Sequence, residues 1–365
     1  MMDLKPNENN KVSPYFAMFL VHKMQIGVGI LGFERVIAKD AEYDAWISVL
    51  IAGISVNVIL WMCFRMLHKD GNDIISIHKY LFGRWFGGGL SVILFIYFLS
   101  VVITILRTYT EVIQVWMFPG VNVLMLMVIF ALLVYNLVTG GFRVVTGAAF
   151  LGVLISLPLL LLKYFPLKYA DFTNLMPLFD HSVKELLLSA KAMTLNYLGF
   201  EFLLMYYPFL NEPRKAEKWA HFGAIFSTII YLISTLVSFA YYSQDQLKHS
   251  VWATLTLWKI VDLPFVERFE YVGIAIWLFA VIPNVCLGVW AVSRGMKRIF
   301  AVNQRKSLVY ILGITVLACT WFQTRQAVDQ LNSMVSRFGF WIIYAYIPLL
   351  FILFMVVHKV RNKTK

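Results

Sequence analysis

An all-helical membrane bundle of ten spans is the architecture this sequence predicts, and three observations predict it. Hydrophobic residues make up 60% of the 365 and charged residues only 14%, with a mean hydropathy of +0.73. The apolar residues are gathered into runs of about twenty, the length a helix needs to cross roughly 30 Å of hydrocarbon. Two of those runs are interrupted at mid-depth, and non-helical backbone is tolerated inside a bilayer only where it lines a protected cavity.

The first run covers residues 14–35 and follows a polar stretch. It is longer than a signal-peptide core, carries Lys23 and lacks a small-x-small cleavage pattern, so it reads as a retained first helix. Its centre, residues 24–33, is MQIGVGILGF. Each glycine costs a helix about 1 kcal/mol relative to alanine, so Gly27, Gly29 and Gly32 predict a break there. Residues 45–67, 88–116, 121–138 and 144–162 supply four further runs, and residues 186–210, 219–242, 271–294, 308–322 and 339–357 supply five more. The sixth run is broken at Asn196-Tyr197-Leu198-Gly199-Phe200-Glu201.

The runs form one membrane domain of two halves, 14–163 and 185–358. Each half opens on a broken span and places an amphipathic, non-spanning stretch, 74–85 or 255–269, between its second and third spans. Because five is odd, the two stretches fall on opposite sides of the membrane. That is the requirement of an inverted repeat, whose ligand site lies between the two broken helices.

With the N-terminus in the cytoplasm, more than half of the 32 Lys and Arg residues fall in cytoplasmic segments, which places both termini inside. Anionic lipid headgroups then account for the formal charge of +12, and no nucleic-acid partner is needed. Cys63, Cys286 and Cys319 all sit in apolar runs without metal-ligand spacing, so they read as packing residues. Gly27 to Gly32 formally fits G-x-G-x-x-G, but a membrane segment precedes it instead of a strand. No H-E-x-x-H, nucleophile elbow or Walker loop is present, so the sequence offers neither catalytic nor metal-ligating residues, and no cofactor.

Where the first helix breaks, the N–H groups opening its outer half favour a carboxylate and the carbonyls closing its inner half favour an ammonium. The expected ligand-binding residues are Gln25, Gly27, Val28, Gly29, Ile30 and Gly32 with Asn196, Gly199 and Phe200. Close packing through small residues is the competing reading of the glycines. Tyr97 in the third span has the depth to join the site or to pack. Asn284, after Pro283 in mid-span, faces either the cavity or a freed carbonyl.

Ionisable residues deep in a span are functional candidates. Lys23 lies about 13 Å into its span at 1.5 Å per residue, and Glu201 follows the second break. Both are expected on the inner halves of their helices, as a gating or proton-linked pair. Arg107 and Glu111 are spaced for a local ion pair, Lys191 is placed to snorkel, and His22 reads as a packed side chain.

The G-V-G-I-L-G of the first span, the N-Y-L-G-F-E of the sixth, the N-E-P-R-K at 211–215, the length and the basic tail together resemble the spore germination permease family. These are the B subunits of nutrient germinant receptors, a branch of the amino acid, polyamine and organocation transporter superfamily. The resemblance implies the five-plus-five inverted-repeat fold of the leucine transporter, with helices 1 and 6 broken. It also implies a sensor subunit of the spore inner membrane that works with a larger A subunit and a lipoprotein C subunit. The germinant would be an amino acid, sugar or nucleoside, and a zwitterionic amino acid suits both ends of the first break. Sodium-coupled relatives use hydroxyl side chains on span eight, yet 273–292 has no Ser or Thr; some proton-coupled relatives use a lysine on span five, and 144–162 has none. A proton-coupled amino acid permease, with Lys23 and Glu201 in that role, is the alternative function.

Overall fold

The computed structural model describes residues 6–264 and 266–363. Among them the chain is helical, with no β-strand beyond isolated bridges. The first half contains α1 (Phe16–Gln25), α2 (Glu34–Ala41), α3 (Ala45–Asp70), α4 (Ile74–Trp116), α5 (Val123–Thr139), α6 (Phe142–Ser156) and α7 (Tyr164–Leu167). The second contains α8 (Val183–Ala192), α9 (Thr194–Tyr197), α10 (Leu203–Tyr206), α11 (Pro213–Tyr241), α12 (Gln244–His249), α13 (Ala253–Trp258), α14 (Phe269–Phe300), α15 (Gln304–Trp321), α16 (Arg325–Trp341) and α17 (Ile347–Lys363).

Local chemistry sets the ends. Gly71 closes α3 in the left-handed region at φ 72°, which glycine adopts without a Cβ penalty. Asp73 then caps α4 by accepting from the Ile75 and Ser76 N–H groups, satisfying donors that have no partner within the helix. Ser182 and Glu185 form a capping box at the start of α8.

Among the described residues, six helical stretches are long and apolar enough to cross a membrane: Glu34–Asp70, Ile74–Trp116, Phe142–Leu167, Pro213–Tyr241, Phe269–Phe300 and Arg325–Arg361. Val123–Thr139 is a shorter apolar helix. Several boundaries differ from the sequence reading. The stretch at 74–85 agrees with it, forming a helix set off from the third run by non-helical backbone at Gly83, where φ is 75° and ψ −177°. The tenth run begins well before residue 339: α16 starts at Arg325 and continues through a π-helical turn, Ile342–Tyr346, into α17. Its first turns are polar because they line a cavity, which hid them from a hydropathy criterion. The stretch expected at 255–269 holds only the end of α13, and its described residues from 259 to 268 are outside any helix; the short α12 lies before it.

Helices pack in two groups. In one, α11 lies along α1 and α3, while α8 lies against α2 and α3. In the other, α14 lies along α4 and α15, and α5 joins α15 and α14. Contacts of α6 with both α1 and α14 join the groups. At the end of α1 remote from α2, the Val12 N–H donates to the Phe209 carbonyl at 2.9 Å and the Asn211 N–H to the Val12 carbonyl at 2.8 Å.

Candidate functional site

The first run leaves helical geometry after Gln25. Ile26 turns to φ −100°, ψ 89° and Gly27 to φ −120°, ψ −145°. A 3-10 turn, Val28–Leu31, leads into α2. In the sixth run Leu198 is extended at ψ 148° and Gly199 has φ 115°.

The two segments approach through their glycines. A Cβ on Gly29 would overlap Asn196 Oδ1, and one on Gly27 would come to 3.0 Å from Asn284 Nδ2. Gly199 combines its positive φ with a Cβ position 2.7 Å from the Met24 Cβ. Close approach to polar partners, as well as small-residue packing, thus accounts for glycine at these positions.

A cavity of about 720 Å³ lies between the segments. Gln25, Gly27, Val28, Gly29, Gly32, Asn196 and Asn284 line it, together with Val101, Thr104 and Thr108 of α4 and the polar face of α16. Ile30 instead faces a small cavity of about 40 Å³ on the other side of the first break. Tyr97, Gly199, Phe200, Lys23 and Glu201 are buried outside the lining of the larger cavity.

Three side chains at this wall hold polar atoms without a protein partner: both amide atoms of Gln25, both of Asn284, and the Thr104 hydroxyl. Their residues are 1%, 0% and 5% exposed. A buried polar atom left unpaired costs about 1–3 kcal/mol, and native interiors rarely keep one. Grouped around a cavity, these atoms are able to hydrogen-bond a polar guest.

Other freed backbone groups are already satisfied. The Tyr231 hydroxyl lies 2.7 Å from the Gln25 carbonyl and 3.1 Å from the Asn196 carbonyl, and Trp277 Nε1 donates to the Gly27 carbonyl at 3.2 Å. Glu201 accepts from the Tyr97 hydroxyl and from the Gly199 N–H, each at 2.7 Å. Lys23 Nζ, on a residue 1% exposed, has no hydrogen-bond partner. The direct Lys23–Glu201 pair expected from the sequence is therefore not formed, because the carboxylate is engaged by its own segment and by Tyr97. His22 packs as expected, against Ser227 at 3.0 Å.

The cavity mouth corrects a second expectation. Glu111 accepts from Arg325 of α16 at 2.5 Å, and Arg325 also contacts Asp329 at 3.0 Å. Arg107 donates to the carbonyls of Phe322 and Gln323. Each member of the expected Arg107–Glu111 pair finds its partners elsewhere in the chain, Glu111 on α16 and Arg107 at the carbonyls between α15 and α16.

Sequence reasoning missed four residues. Thr104 and Tyr231 carry no local signature, and only helix rotation reveals that they face the breaks. Glu34, fully buried, accepts from Thr254 at 2.6 Å and Ser238 at 3.2 Å. Lys163 lies one residue beyond the fifth run and donates to Thr254 at 3.1 Å; an acid and a base ending two apolar runs of one half were the available clue.

Residues 11–328 match the family described as spore germination protein. The chain is 40% identical to the spore germination protein GerQB of Bacillus cereus over 352 residues, covering 96% of this chain and 98% of that one. The chain belongs to the spore germination protein family. Spore germination protein A2 of Bacillus subtilis strain 168, another relative, is 22% identical over 97% of both chains. Among solved structures, a Na+-coupled sialic acid symporter in a substrate-bound outward-open state superposes with a TM-score of 0.69 at 14% identity, over 95% of this chain and 79% of that one. MhsT in complex with L-phenylalanine gives 0.67 at 15% identity, over 94% and 88%. This spore germination protein therefore has the fold of those transporters, as an all-helical, multi-pass membrane protein.

Proposed function

We propose that the chain is the membrane-embedded B-type subunit of a nutrient germinant receptor and that it binds a small polar nutrient between two broken helices. The unpaired amides of Gln25 and Asn284 at the cavity wall carry this reading. Thr104 and Asn196 complete the polar lining, and the glycines at 27, 29 and 32 allow its close approach. In this reading ten spans form two inverted repeats, 14–163 and 185–358, with the spans containing α1–α2 and α8–α10 broken at corresponding points. Two helix groups joined by α6 support it, as does the similarity of fold to transporters.

Ligand binding shifts the equilibrium between arrangements of the two groups, and partner subunits read the shift. The partners would be the A subunit and the lipoprotein C subunit of the receptor. Both termini lie in the cytoplasm and the cavity opens on the outer face of the spore inner membrane. Tyr97, Gly199 and Phe200 support the wall from behind, while Lys23 and Glu201 act below it, each through its own contacts, in closing the inner side. Catalysis has no part in this function.

Transplanting the chain, with its receptor partners, into a strain without nutrient receptors tests the proposal. Nutrients are screened for the one that triggers germination, and Gly29→Val is expected to abolish the response while the protein still reaches the membrane. An undiminished response in that variant would refute the site. Ligand flux in liposomes containing the chain alone would favour the permease reading.

A further inference from the structure

We propose that the Tyr231 hydroxyl is a built-in substitute for a coupling cation, so that this protein's cavity closes without sodium. The inference rests on the reading that the two breaks face a ligand cavity. In membrane proteins with broken helices, the carbonyl ends of the half-helices converge on the coupling ion, because each carries about half a negative charge from the helix dipole. Here the converging groups are the Gln25 carbonyl, at the last residue of α1, and the Asn196 carbonyl, near the end of α9. Both face the same proton: the Tyr231 O–H lies 2.7 Å and 3.1 Å from them.

The hydroxyl is held there from both sides. Phe33, just after the first break, meets the Tyr231 ring edge-on with centroids 4.9 Å apart, and Tyr197, just before the second, meets it at 5.4 Å. The side chain is fully buried. Trp277 supplies a second fixed donor, to the Gly27 carbonyl. Three carbonyls that broken helices would otherwise present to an ion therefore already accept from aromatic side chains anchored on α11 and α14. Tyr231 acts as a positioning residue, tying the ends of the two breaks to one point so that displacement of one is felt by the other.

The test needs no knowledge of the nutrient. The three native cysteines are buried, so a cysteine introduced as Ser336→Cys, on the cavity wall, reports alone when membrane vesicles holding the full chain are treated with a maleimide. Labelling is compared in sodium chloride and in N-methyl-D-glucamine chloride, with Tyr231 present and with Tyr231→Phe. With Tyr231 present, equal rates in the two salts are expected. With Tyr231→Phe, which frees both carbonyls but keeps the ring, sodium is expected to slow labelling severalfold. A sodium effect in the Tyr231 protein, or a Tyr231→Phe protein indistinguishable from it in both salts, would overturn the proposal. Should Tyr231→Phe not accumulate, the salt comparison on the Tyr231 protein decides alone. Protection of the same cysteine by nutrient tests the cavity itself, so failure there is separable from failure of the sodium argument.

Discussion

At Asn284 and Gln25, stability and function pull in opposite directions. Replacing a buried, unpaired amide with an apolar side chain of similar size removes an unmet desolvation cost of about 1–3 kcal/mol. Asn284→Leu and Gln25→Leu are therefore expected to raise the melting temperature of the purified protein and to abolish nutrient-triggered germination, a trade-off common at binding sites. A stability loss with retained germination would mean that these amides serve the fold. Lys23 poses the same question two residues before Gln25, since a buried amine without an acceptor is costly. Lys23→Met is expected to stabilise the protein, which a melting curve measures directly. Sequence reasoning reached Gln25, Asn284 and Lys23 because polar residues inside apolar runs stand out. It mispaired Glu201 and Arg107, because their partners, Tyr97 for the one and the carbonyls of Phe322 and Gln323 for the other, are remote along the chain and leave no local trace.

Among the elements, the two breaks were legible for different reasons. Three glycines in an apolar run announce the first. The second rests on a single glycine flanked by Asn196 and Glu201, and its decisive feature, a φ of 115° at Gly199, follows from the glycine only once the neighbouring Met24 is known to leave no room. Gly199→Ala combines left-handed strain with that overlap, and a loss of about 1–3 kcal/mol is expected, read as a lower melting temperature. The positions of the apolar helices were accessible from the hydrophobic runs, whereas the start of α16 was not, because Arg325, Asp329, Asn332, Ser333 and Ser336 put a polar face on the cavity. Thr104 and Tyr231 eluded the sequence for a related reason: a threonine or tyrosine in a long apolar helix gives no sign of its rotation.

Across the whole molecule, the cavity is open at one end of the broken helices and stitched shut at the other. The stitch consists of the backbone pair between Val12 and residues 209–211, reinforced by Arg143, whose Nε donates to the Lys11 carbonyl at 2.9 Å. Val12→Pro removes the N–H donated to Phe209, and labelling of a cysteine placed below the cavity, away from Tyr97 and Glu201, is expected to become faster. Unchanged labelling would place the closure deeper, around Glu201. The bond from the Trp277 indole to the Gly27 carbonyl has one further consequence. Indole emission responds to the loss of a hydrogen-bond acceptor, so the chain carries its own optical probe of the first break: in a variant whose other tryptophans are replaced, a spectral change on adding nutrient would report rearrangement at Gly27 in real time, with no attached dye.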